Sequence, residues 1–184
     1  MIPGTKRILT VLVVLFVATS GFAQQITGLL TRFGNTFRDW EVYTTDPDVR
    51  GELRMRWFMQ NDWTVWDMSY GNVNATIEQK WEEDPGFWVI RCNGKTVNAK
   101  TIWRGDYTRW KLNDGDQQIN WRAKYSNQKD EWEIDDRDPK FFVYTQWRGD
   151  PREWVVVDEL AEDISEAMKV AMIFLALHFS TPRI

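Results

Sequence analysis

The hexapeptide Thr101-Ile-Trp103-Arg104-Gly105-Asp106 recurs 44 residues later as Thr145-Gln-Trp147-Arg148-Gly149-Asp150. Sliding residues 66–109 onto 110–153 without a gap makes 10 of 44 positions identical. They include Trp66 with Trp110, Gly71 with Gly115, Trp88 with Trp132, and Ile90 with Ile134. Trp110 falls in turn on Trp154, and Trp40-Glu-Val42 matches Trp88-Val-Ile90 after a four-residue insertion. A fixed period of this kind means a supersecondary unit stacked on copies of itself, because no single copy can bury its own apolar face. Three units are expected, near residues 40–87, 88–131 and 132–184, the last degenerate in its second half.

Each unit reads as short strands. Ile119, Trp121 and Ala123 alternate with Asn120, Arg122 and Lys124, a period of two that puts one set on each face of a strand. Similar runs are Trp88–Arg91, Lys100–Trp103, Arg109–Leu112 and Phe141–Trp147, with Asn93-Gly94, Arg104-Gly105-Asp106 and Asn113-Asp114-Gly115-Asp116 between them as turns. About eleven such strands are predicted, which means an all-β barrel or sandwich. From Asp158 the pattern changes. Leu160, Ile164, Met168 and Ala171 lie at helical spacing, and Val170 to Phe179 is apolar on every side. The spacing predicts one C-terminal helix over about 158–179, starting at Asp158 or Glu159. A run of ten apolar residues spans about half a bilayer core, so protein rather than lipid is expected around it.

The first 23 residues read as a secretory signal peptide. Lys6 and Arg7 precede the apolar run Ile8–Val17, and Gly21 and Ala23 supply the small residues for cleavage between Ala23 and Gln24. A retained N-terminal anchor is the alternative. Export to a periplasmic or extracellular space follows, with residues 24–39 as an N-terminal segment and 40–184 as one domain. The 184-residue chain carries a formal charge of −4 and a single Cys and a single His. That excludes a disulfide framework and multi-Cys or His-pair metal sites. An acidic exported protein is a poor candidate for binding nucleic acid, and bulk charge does not favour anionic membranes. No cofactor or metal is expected, and a monomer is.

Strands followed by one apolar C-terminal helix resemble the tubby-like barrel group, which includes the phospholipid scramblases and the LURP-one-related proteins. Asp67-Met-Ser-Tyr-Gly71 running on to Gln79-Lys80 is similar to the LURP-one pattern of an Asp, a Gly, and a strand ending in Gln/Lys. Trp154-Val-Val-Val-Asp158 through Ala171-Met-Ile-Phe-Leu-Ala-Leu177 resembles the closing strand and central helix of that group. The resemblance covers most of residues 36–180. It implies a closed antiparallel barrel of about twelve strands around a buried hydrophobic helix. The chain departs from the group in its export signal and in having no concentrated Lys/Arg cluster like the phosphoinositide site of tubby.

Candidate sites follow from residue type. The 12 Trp can fill a barrel or form a platform for sugar or lipid. Trp at repeat-related positions (66/110/154, 88/132, 103/147) are expected in the core, and Trp57, Trp63 and Trp121, outside that phase, are the candidate ligand-binding residues. Both Arg-Gly-Asp triplets read as hairpin turns rather than adhesion motifs. Asp114/Asp116 and Asp135/Asp136/Asp138 read as solvated turns rather than calcium loops. His178 and Cys92 read as structural. The expected function is an exported, non-enzymatic binding or structural module contacting a lipid or envelope component. The alternatives are a secreted hydrolase using a carboxylate pair and a scramblase-like membrane protein.

Overall fold

The structure is a computed structural model and describes residues 24–34, 36–161 and 163–183. The leader expected at 1–23, with its cleavage point, lies outside the described residues. Twelve strands form one antiparallel meander: β1 (Ile26–Thr31), β2 (Asp39–Thr44), β3 (Arg50–Trp57), β4 (Asp62–Tyr70), β5 (Val73–Trp81), β6 (Asp84–Cys92), β7 (Lys95–Thr101), β8 (Arg109–Asn113), β9 (Gln118–Tyr125), β10 (Gln128–Ile134), β11 (Phe141–Trp147) and β12 (Asp150–Asp158). Each pairs with its sequence neighbours, and β1 pairs with β12 to close the barrel. Closure leaves no unpaired edge strand. A helix, α1 (Glu166–Ser180), follows.

The alternation read from the sequence sets the two faces of the wall. On β9, Ile119, Trp121 and Ala123 are buried, while Asn120 and Lys124 are exposed. The outward positions are polar along most of the wall, such as Arg50, Arg54 and Arg56 on β3 and Arg109, Lys111 and Asn113 on β8. A barrel that spans a bilayer has the reverse arrangement, with an apolar outer band.

Six even-strand tryptophans, Trp40, Trp66, Trp88, Trp110, Trp132 and Trp154, are among the largest side chains on the buried face. After a first gap of 26 residues they are spaced by 22. Each donates its indole N–H to the carbonyl three residues before it: Phe37, Trp63, Pro85, Tyr107, Lys129 and Pro151, at 2.8–3.2 Å. A buried indole N–H without an acceptor costs free energy. Here the acceptor lies within the same hairpin, so each of the six hairpins satisfies its own Trp.

The helix is buried on all sides from Ala167 to His178 and joins the strands' buried side chains in one core. Phe174 packs edge-on against Trp66 and tilted against Trp88, ring centroids 5.8 and 4.8 Å away. Lys169, the one lysine in its buried stretch, pairs with Asp158 at 2.7 Å. Tyr70 donates its hydroxyl to Glu166 at 2.6 Å, and Ser165 donates to Asp114 at 2.9 Å. These contacts tie the helix start to β4, β12 and the β8–β9 turn.

Two boundaries differ from the sequence reading. The barrel begins at Ile26 rather than at residue 40, because β1 within the segment 24–39 is the strand that closes it. The helix begins at Glu166, not near 158. Asp158 ends β12, and Ser165 is the N-cap, its side chain accepting the Met168 N–H.

Candidate functional site

In an antiparallel meander, alternate connections emerge at the same end of the barrel. One end carries the six connections from odd to even strands, after β1, β3, β5, β7, β9 and β11. Among the described residues, nine of the ten exposed large apolar side chains lie there: Phe33, the run Trp57-Phe58-Met59, Trp81, Ile102, Trp103, Tyr125 and Trp147. The tenth, Tyr144, faces out from the wall on β11. All six connections contribute at least one.

The placement has a structural rule. Phe33, Trp57, Trp81, Trp103, Tyr125 and Trp147 are spaced by 24, 24, 22, 22 and 22 residues. Each stands on the alternate positions that are buried lower on its odd strand, as in Val143, Thr145, Trp147 and Trp121, Ala123, Tyr125. The column of core positions therefore runs on past the filled part of the barrel and ends in an exposed aromatic. Trp103 is 67% and Trp147 63% exposed; both were expected in the core. The turns that hold them are well built. Asp106 accepts the Thr108 N–H at 2.9 Å, and Gly105 and Gly149 take φ of +82° and +75°. The two Arg-Gly-Asp triplets thus sit at hairpin turns.

A basic residue adjoins each of the six aromatics in sequence: Arg32-Phe33, Arg56-Trp57, Lys80-Trp81, Trp103-Arg104, Lys124-Tyr125 and Trp147-Arg148. Lys80 lies 5.4 Å from the Trp81 ring centre and Lys124 5.6 Å from that of Tyr125. Between β10 and β11 the rim opens into a cleft. The two strands pair only from Glu131–Glu133 to Phe142–Tyr144. Above that, a cleft of about 280 Å³ is lined by Gln128, Thr145, Arg148, Trp154 and Ser180.

Of the three candidate tryptophans, two are at this rim and one is not. Trp57 ends β3 and is exposed. Trp63 is half-buried, donates its N–H to Asn61 at 2.9 Å, and packs on Trp66. Trp121 is fully buried, stacked on Trp132 at 6.1 Å, and its indole N–H has no acceptor. It is core material, because the buried face of β9 needs a large side chain at that level. The site residues that sequence reasoning missed are Trp81, Trp103, Tyr125 and Trp147. The recurrence of Trp103 at Trp147 was read as a sign of burial, and Trp81 and Tyr125 were given no site role.

Just below the rim, His178 is enclosed by Trp63, Trp66, Trp88, Phe174 and Phe179, with ring centroids 4.8–6.2 Å away. Arg183 lies 2.9 Å from its Nε2. Nε2 must accept that bond, so Nδ1 carries the proton and has no acceptor. Burial first, and Arg183 second, hold its pKa well below the ordinary range. Burial pushes the Cys92 thiol up to about 11, so it is a poor nucleophile.

Several carboxylates are held by cations or by turn N–H groups. In an outer-wall pocket, Asp39 has its pKa raised by burial, against the opposing effect of Arg32. Asp67 in the same pocket gives both oxygens to Arg56. Asp114 accepts the backbone N–H groups of Asp116 and Gln117 as a turn. Among the described residues no group of three or more His, Cys, Asp or Glu could hold a metal ion, and no helix is long and apolar enough to cross a membrane. Compared with protein-family models, curated proteins and solved structures, the chain matches none of them.

Proposed function

We propose that the chain is an exported, non-enzymatic binding module of the tubby-like barrel kind, with α1 threaded through the lumen and the odd-to-even rim as its binding surface. The carrying observation is the segregation of exposed apolar side chains to one end. Single exposed apolar residues are ordinary on a protein surface, but a contiguous set at one pole marks an interaction site. A helix in the lumen leaves little room for an internal ligand, which moves binding to the rim. The 44-residue recurrence is then two copies of a 22-residue hairpin, each with one exposed aromatic and one buried Trp. The exposed member contributes little to the core, so its presence in all six hairpins calls for another role.

Two experiments test this reading. Expression with the native leader should yield protein whose first residue is Gln24, by N-terminal sequencing. A photoreactive benzoylphenylalanine replacing Trp103 should crosslink to a partner in intact cells, while the same group replacing Tyr144 on the wall should not. Equal labelling at the two positions would refute the rim as the binding surface. The hydrolase alternative would place its acid at Asp39, and unchanged turnover in Asp39→Asn would eliminate that assignment.

A further inference from the structure

The two ends of the barrel differ in charge as sharply as in apolarity. The odd-to-even connections contain four basic residues (Arg32, Arg38, Arg104, Arg148) and three acidic ones. The even-to-odd connections, with the β12–α1 link, contain nine described acidic residues and two basic ones, Arg137 and Lys140. The chain enters the barrel at this acidic end, where Gln25 accepts the Thr45 N–H at 2.9 Å.

We propose that the aromatic rim docks on the interface of an anionic phospholipid bilayer, with the barrel standing on it and the acidic end pointing away. This rests on the reading of the rim as the binding surface and names its occupant. Three observations select a bilayer. First, exposed residues stand on all six turns of a ring, which suits a flat partner rather than the compact central cluster of a protein hot spot. Second, Trp and Tyr favour the headgroup level, where the ring is buried and its polar edge stays wet. Met59, 94% exposed, and Ile102 add aliphatic bulk at two of the turns. Third, three of the six cations beside the aromatics are available to meet lipid phosphate, the other three, Arg32, Arg56 and Lys124, being paired with Asp39, Asp67 and Glu131. Among the described residues, Lys80, Arg104 and Arg148 form no ion pair, so they enter the contact without breaking one.

The charge asymmetry supplies the orientation. Near a negative surface the acidic end is repelled and the rim attracted, although residues 24–184, without Lys6 and Arg7, carry −6. A chain still carrying an apolar leader would be held by the acidic end, with the rim facing away from that membrane. Docking by the rim therefore goes with the free form that begins near residue 24.

The test is vesicle flotation of residues 24–184, which contain every strand of the closed barrel and the helix packed on it. Vesicles of phosphatidylcholine alone are compared with equal parts phosphatidylcholine and phosphatidylglycerol. The protein should float with the mixed vesicles, and Arg104→Gln with Arg148→Gln should weaken binding about thirtyfold, since each cation near an anionic surface contributes about a factor of five. Trp103→Ser with Trp147→Ser should weaken it about tenfold or more. Asp135→Asn with Asp138→Asn at the opposite end should not reduce it. Near-UV circular dichroism confirms that each variant is folded. Failure to float, or flotation that survives both rim variants, overturns the proposal. So does a dimer in solution that Trp103→Ser with Trp147→Ser abolishes, which would make a second copy the occupant. A protein adduct instead of a lipid adduct at position 103 would overturn bilayer docking and leave the rim as the binding surface. No adduct there would remove both.

Discussion

Acidification from pH 7 to pH 5 should destabilise this protein through one residue, His178. In the unfolded chain a histidine titrates near 6.5. In the folded protein His178 is enclosed by five aromatic rings and faces Arg183, and both its burial and that cation keep it neutral. Its folded pKa is lowered, so the unfolded state takes up a proton that the folded state refuses. Stability is then complete above about pH 6.5 and falls below it. Proton linkage between pH 7 and 5 sets an upper limit of about 2 kcal/mol on the loss, reached when the folded state takes up no proton by pH 5. For a domain of this size that is a fall of about 4–8 °C in Tm. Carboxylates contribute mainly at lower pH. The lowered Asp106, Asp114 and Asp150 lose stability on further acidification, and the raised Asp39 acts in the opposite sense. The assay is thermal unfolding by circular dichroism at pH 5, 6 and 7, for wild type and His178→Phe. Phe keeps an aromatic ring in the cluster and cannot be protonated, so the variant's Tm should change much less over this range. An equal fall in both proteins would refute the assignment to His178.

Other perturbations separate the structural roles. Lys169→Met leaves Asp158 buried without its partner and should cost about 3–5 kcal/mol in urea unfolding, with partial recovery when Asp158→Asn is added. Trp88→Ala, which removes a fully buried ring, should cost about 3–5 kcal/mol. Trp103→Ala at the rim should stay within about 0.5 kcal/mol in the same assay. Trp121→Phe should be tolerated better than Trp88→Phe by about 1 kcal/mol, because the Trp121 N–H has no acceptor to lose. Gly51→Ala should destabilise markedly, since its Cβ would lie 2.3 Å from the Ser69 carbonyl oxygen, on a backbone that cannot move aside.

Strands with clean alternation were legible residue by residue. β9 is an example, because a half-buried strand must put every second side chain in the core. β1 was not legible. Ile26-Thr-Gly-Leu-Leu-Thr31 has two adjacent Leu and a Gly, and its pairing with β2 shifts register between Ile26 and Gly28. It is held between β2 and β12, and β12 lies more than 120 residues away in sequence. The helix start was misplaced for a related reason. Asp158 looks like a helix-favouring acid, and only the ladder with Phe141 on β11 makes it the end of a strand.

The sequence by itself determined the recurrence, the all-β character, the turns and the apolar C-terminal helix, because these depend on side-chain order over a few residues. Only the tertiary structure decided which tryptophans are core. Trp103 and Trp110 belong to one hairpin and both recur every 44 residues, yet one is exposed and the other fully buried. The difference is whether a side chain stands beside the helix and its packed neighbours or beyond them, and that level exists only after the barrel closes. Charge behaves in the same way. A formal charge of −4 averages over the chain, whereas the meander sends alternate turns to opposite ends, so that nine described acids fall in the connections of one pole and three in those of the other, beside the exposed aromatics.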